Sequence, residues 1–76
     1  MKEASSNLLI LVADDDDDAR AIVAIGISAL GYRVVEARDG LEAVDAFIEQ
    51  RPAMAVLDMN MPGLTGSEVC KRIKGA

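Results

Sequence analysis

Two separated groups of carboxylates are the residues best suited to chemistry: the unbroken run Asp14 to Asp18, and Asp58 at the head of Asp58-Met59-Asn60-Met61-Pro62. Carboxylates brought close together repel, so at neutral pH they either raise a pKa or recruit a cation. The chain has no histidine and one cysteine, Cys70, which excludes an internal disulfide and a Cys/His zinc site. Oxygen donors remain, and these select magnesium, manganese or calcium; one or two direct carboxylates with waters is the usual magnesium arrangement. An aspartate beside such a metal can attack a phosphoryl group, because the metal offsets the repulsion between two anions and the charge of the transition state. Asp58 is the expected nucleophile, and Asp14 and Asp15 the expected metal-holding acids.

Those acids must be brought together by the elements that precede them. Leu8 to Ala13 is short and continuously apolar, the pattern of a strand covered on both faces, and it stops at Asp14. Asp16 or Asp17 can cap a following helix in which Ala19, Ile22, Val23, Ile27 and Leu30 recur at helical spacing, with Gly31 as its stop. Gly26 inside that helix costs about 1 kcal/mol relative to alanine, and its small size is expected to serve close packing. Tyr32 to Ala37 reads as a second strand, Asp39-Gly40 as a turn, and Leu41, Val44, Phe47 and Ile48 as a second amphipathic helix ending before Pro52. Ala53 to Leu57 is a third buried-type strand. After the Met61-Pro62-Gly63 loop comes a third helix, Ser67 to Ile73, with Val69, Cys70 and Ile73 inward. The order βαβαβα implies right-handed crossovers and a parallel α/β sheet. Ligands of such a sheet bind outside the carboxyl ends of its strands, where Asp14, Asp15 and Asp58 fall.

Composition narrows the classes of function. The net charge is -5, and no clustered Lys/Arg surface is present to bind nucleic acid. No apolar stretch approaches the roughly 20 residues of a membrane helix, and no charged-then-apolar leader opens the sequence, so a soluble cytoplasmic protein is expected. A fold of 76 residues buries only about 60% of its unfolded surface. With Tyr32 and Phe47 as its only aromatic residues, its core is expected to be marginal and to need a partner. The blander roles fall to other residues: Asp16, Asp17 and Asp18 as capping and surface acids, Met54, Met59 and Met61 as fillers, and Cys70 as a small buried hydrophobe. Lys71, Arg72 and Lys74 are expected as cations near a helix C-terminus.

The segment Leu9 to Arg20, LILVADDDDDAR, is similar to the acidic first-strand motif of response-regulator receiver domains. Asp58 to Gly66 matches their D-x-x-M-P-x-x-x-G signature, and Gly31-Tyr32 and Ala37-Arg38-Asp39-Gly40 fit the family's spacing. The resemblance implies a two-component signalling role in the CheY-like, flavodoxin-like doubly wound fold. It makes Asp58 the phosphoacceptor, Asp14 and Asp15 the magnesium acids, and Asn60 a metal ligand through its backbone carbonyl. Pro62, Gly63 and Gly66 become supports of the loop after the acceptor. A histidine kinase or a small phosphodonor would supply the phosphoryl group. Residues 1–7 are then a polar lead and 8–76 a truncated receiver domain.

Receivers have five βα units, of which this sequence carries the first three. The family's Ser/Thr after the fourth strand and Lys after the fifth have no counterpart here; Thr65, Ser67, Lys71 and Lys74 do not match them. Removing one such preorganised donor costs about 10²- to 10³-fold in comparable sites, so slowed phosphorylation is expected. The third strand, interior in the family, becomes an edge, and Met54-Ala55-Val56-Leu57 lacks the charges or prolines that protect edges. A homodimer joined through it is expected. Two other classes compete: a homodimeric assembly module with an unused acidic pocket, and a small metal-dependent phosphate-ester hydrolase or otherwise repurposed strand-end site. A phosphoacceptor domain is favoured over a dedicated enzyme, since no histidine base, Walker loop or G-x-G-x-x-G fingerprint is present.

Overall fold

The computed structural model describes residues 8–59, 61 and 64–75. Expectations for the lead 1–7 and for Asn60, Pro62 and Gly63 lie outside the described residues. The chain runs β1 (Leu9–Ala13), α1 (Asp17–Ala29), β2 (Arg33–Ala37), α2 (Gly40–Gln50), β3 (Met54–Leu57) and α3 (Gly66–Gly75). The expected βαβαβα order is present, and the sheet is parallel and open, in the order β2-β1-β3.

β1 is central, and its apolar sequence matches its place between two strands and two helical layers. Leu11, Val12 and Ala13 are essentially inaccessible. On one face Leu11 and Ala13 join Ala37, Ala43, Ala46, Met61, Leu64 and Val69 in the core, with Phe47, Ala55, Leu57 and Ile73 packed around it. This face is covered by α2, against which α3 packs in turn. Strand alternation sends Ile10 and Val12 to the other face, where α1 lies over β1 and β2.

Local capping explains the helix starts. Asp16 Oδ1 accepts from the N–H groups of Asp18 and Ala19, which identifies Asp16 as the α1 cap. At α2 the expected Asp39-Gly40 turn is instead a cap: Asp39 Oδ1 accepts from Glu42 N–H at 2.9 Å, and Gly40 is the first helical residue. Glu42 Oε1 accepts from Arg38 N–H at 2.8 Å. At α3 Thr65 and Glu68 form a reciprocal capping box. Bonds from the Arg38 backbone and guanidinium hold the Glu42 carboxyl below its ordinary range, and the Thr65 N–H does the same for Glu68. α1 stops at Gly31, whose φ of 98° is the left-handed conformation glycine tolerates. α2 ends without a glycine: Arg51 takes φ 47° and stacks its guanidinium over Phe47.

Several expectations are corrected, among them the buried reading of Ala53 to Leu57, of which Ala53, Met54 and Val56 are exposed. Cys70 is exposed, because Val69 and Ile73, four residues apart, define the inward stripe and Cys70 lies about 100° around the helix from Val69. Gly26 serves no close packing, since a Cβ added to it would meet nothing within 4 Å. Ile22 and Leu30 are largely exposed, at 70% and 72%. α1 is apolar on most of its circumference, so its spacing does not single out the stripe around Ala24 and Ile27 that meets the sheet.

Gly40, unlike Gly26, sits at a required close approach: a Cβ there would collide with Leu64 Cβ and lie 2.7 Å from the Leu64 carbonyl oxygen. Gly40→Ala is therefore expected to destabilise the fold by about 1–3 kcal/mol. Gly26→Ala should stabilise it by about 0.5–1 kcal/mol. Urea denaturation of the two variants beside the parent chain checks both signs.

Candidate functional site

The end of β1 is held on both sides by backbone bonds that continue the sheet. Asp14 N–H donates to Ala37 C=O at 3.1 Å and Asp58 N–H donates to Ala13 C=O at 3.0 Å. With Ala13 in register with both Ala37 and Leu57, the residues that follow β1 and β3 emerge side by side at the carboxyl edge of the sheet. Asp14, Asp15 and Asp58 each present a carboxylate oxygen there, and these oxygens all lie within 4.8 Å of one another. Asp14 and Asp58 are half-buried and Asp15 is exposed.

This juxtaposition is the one expected from the strand ends. Three oxygen donors at this spacing, without nitrogen or sulfur, suit a hard divalent cation such as magnesium, which keeps several waters and takes one or two carboxylates. The remaining acids of the run have other partners. Asp14 Oδ1 accepts from Asp16 N–H at 2.9 Å, which fixes the turn out of β1. Asp16 caps α1, and Asp17 pairs with Arg20 at 2.7 Å. Asp16 and Asp17 thus take the capping and surface places expected of them.

Gly66 stands directly behind Asp58. A Cβ on it would lie 2.9 Å from the Asp58 carbonyl oxygen and 2.7 Å from Met59 Sδ, so only glycine allows α3 to start this close to Asp58 and Met59. Met61 is buried as a core filler, whereas Met54 and Met59 are exposed.

Arg20 and Glu36 were not singled out by sequence. Arg20 Nη1 donates to the Asp14 carbonyl oxygen at 2.8 Å, Nη2 to Asp17 Oδ1 at 2.7 Å and Nε to Glu36 Oε1 at 3.0 Å. The i,i+3 spacing of Asp17 and Arg20 on a helix was an available signal. Glu36 is visible only once β2 is known to pair with β1.

On the opposite side of the sheet, α1 leaves β3 uncovered. Leu8, Ile10, Ile27, Leu30, Met54 and Val56 line an apolar groove of about 530 Å³. β3 also forms one edge of the described sheet. No helix among the described residues is long and apolar enough to cross a membrane.

The family model of the response regulator receiver domain matches residues 10–76. Sporulation initiation phosphotransferase F of Bacillus subtilis is 43% identical over 44 residues, covering 58% of this chain and 36% of that protein. Response regulator MprA of Mycobacterium tuberculosis is 47% identical over 49 residues, covering 64% of this chain and 21% of its own length. Among solved structures, the response regulator TrrA of Thermotoga maritima, in complex with Mg2+-BeF, superposes with a TM-score of 0.87 at 32% identity, over 91% of this chain and 60% of that one. The chemotaxis protein CheY4 of Vibrio cholerae gives 0.86 at 32% identity, over 90% and 57%. The chain thus spans little more than half of these solved structures and about a third or less of the two curated relatives.

Proposed function

Because the chain belongs to the response regulator receiver domain family, we propose that it is the phosphoacceptor part of a two-component signalling protein, with Asp58 as the residue phosphorylated. The observation that carries this reading is the convergence of Asp14, Asp15 and Asp58 within 4.8 Å at the carboxyl edge of a parallel sheet. The receiver unit occupies residues 8–76, behind a polar lead 1–7, and works in the cytoplasm. Asp14, Asp15 and Asp58, with the backbone carbonyl of Asn60, would hold Mg2+. When bound, the ion offsets the charge of the incoming phosphoryl oxygens. TrrA, a relative solved in complex with Mg2+-BeF, supports the choice of metal.

In the reaction a carboxylate oxygen of Asp58 attacks the phosphorus of a histidine kinase's phosphohistidine or of a small phosphodonor. The new O–P bond forms as the P–N or P–O bond of the donor breaks, and the electron pair leaves with the donor. Asp58 can approach because its backbone is pinned to β1 and Gly66 leaves room behind it.

A second property is favoured by the open β3 edge and the groove beside it. Met54 and Val56 are 60% and 40% exposed, and this strand carries no charge to discourage pairing, whereas edge strand β2 presents Arg33 and Glu36. Pairing of β3 with β3 of a second copy about a twofold axis satisfies both backbone edges and yields a homodimer.

Intact-mass spectrometry after incubation with acetyl phosphate should show a single phosphoryl adduct that requires Mg2+ and is absent in Asp58→Asn; a folded parent chain that gains no adduct contradicts the assignment. Sedimentation equilibrium should find a dimer for the parent chain and a dissociation constant raised at least about tenfold by Val56→Lys, equivalent to about 1.4 kcal/mol. A parent chain that sediments as a monomer at every concentration rules the dimer out.

A further inference from the structure

Arg20 joins three segments that meet at the acidic edge. Its three guanidinium nitrogens are used separately: one on the backbone carbonyl of Asp14, one on Asp17 in the first turn of α1, and one on Glu36 in β2. The side chain is only 11% exposed, while its partners Asp17 and Glu36 are 78% and 47% exposed. Ion pairs with such exposed acids contribute little energy. What the arrangement supplies is geometry, because a planar fork bound at three points fixes the atoms it touches.

We infer that Arg20 is a positioning residue for the metal site, holding the Asp14–Asp15 peptide so that both carboxylates stay turned toward Asp58. The inference rests on the reading of Asp14, Asp15 and Asp58 as the magnesium site. Three carboxylates this close push one another apart, and the β1–α1 turn is where they can yield. Within that turn Asp14 N–H is held by Ala37 C=O and Asp14 Oδ1 by Asp16 N–H. The Asp14 carbonyl is held by Arg20, which completes the restraint on both sides of the residue. A cation beside a cation site would ordinarily weaken metal binding. Here Asp17 and Glu36 bring two negative charges against the one on Arg20, so the clamp can act without making the site more positive.

Charge and geometry predict opposite signs, which makes the inference testable. Arg20→Gln removes a positive charge, so Coulomb attraction alone would tighten magnesium binding; loss of positioning weakens it. Arg20→Lys keeps the charge but offers one nitrogen in place of three.

The experiment is a titration with MgCl2 at constant ionic strength, followed through the backbone amide resonances of Asp14, Asp15 and Asp58 in the parent chain and both variants. Resonances of β3 and α3 report whether the fold persists. Both variants should bind magnesium about tenfold more weakly, the scale on which outer partners of metal ligands act, with β3 and α3 unmoved. A folded variant that binds as tightly as the parent, or Arg20→Lys restoring full affinity, overturns the positioning role. Unfolding of both variants also overturns it, by making Arg20 a residue of the fold. If the parent chain takes up no magnesium, the reading of the metal site fails, and this inference with it.

Discussion

Backbone hydrogen bonds at the carboxyl end of β1 tie the acidic edge to the core. Asp14 is bonded to β2 through Ala37, and Asp58 is bonded to β1 through Ala13. Both bonds extend parallel ladders whose central strand is inaccessible at Leu11, Val12 and Ala13. Burial of β1 therefore does two things at once: it supplies the apolar contact that holds a small fold together, and it fixes two carboxylate-bearing segments beside each other. Neither segment can shift its backbone without breaking a ladder bond, so the repulsion among the acids falls on their side chains and on the turn after Asp14.

That turn shows how a run of like charges is made tolerable. Five consecutive aspartates would repel strongly in an extended loop, yet the structure gives them different tasks. Asp14 and Asp15 face Asp58, Asp16 meets the unpaired N–H groups of α1, and Asp17 faces Arg20. Placement of Asp17 and Asp18 in the first turn of α1 sets them near the positive end of its dipole. The acidic run is thus part helix start, at Asp16 to Asp18, and part carboxylate cluster, at Asp14 and Asp15.

Much of this was legible in the residues themselves. The apolar run Leu8 to Ala13 ending in acid, the glycine at 31 and the strand ending at Asp58 have strong local signals, and each lies within a residue or two of its observed place. The inward faces of the helices were less so. α1 is apolar nearly all round, so only contact with the sheet distinguishes Ala24 from Ile22, and on α3 one helical step separates buried Val69 from exposed Cys70. Asp39 reads as a turn residue because Asp-Gly is a turn signal, and a cap uses the same side chain. Arg20 was illegible for a different reason: its role depends on Glu36, sixteen residues away, which reaches it only after β2 has paired with β1.

The acidic edge also has to be seen against what surrounds it. One face of the sheet is covered by α2, with α3 packed against it, while the other leaves Met54 and Val56 beside an apolar groove. The carboxyl ends of β1 and β3 thus carry the acids, whereas one face of β3 lies open beside an apolar groove. That pairing of β1 with its neighbours assembles one cation site from Asp14, Asp15 and Asp58 is tested most directly by anomalous diffraction from crystals soaked in manganese, standing in for magnesium as the scatterer. A single strong peak within bonding distance of these carboxylates is the predicted result. A peak among Asp16, Asp17 and Asp18, or none at saturating metal, would contradict it.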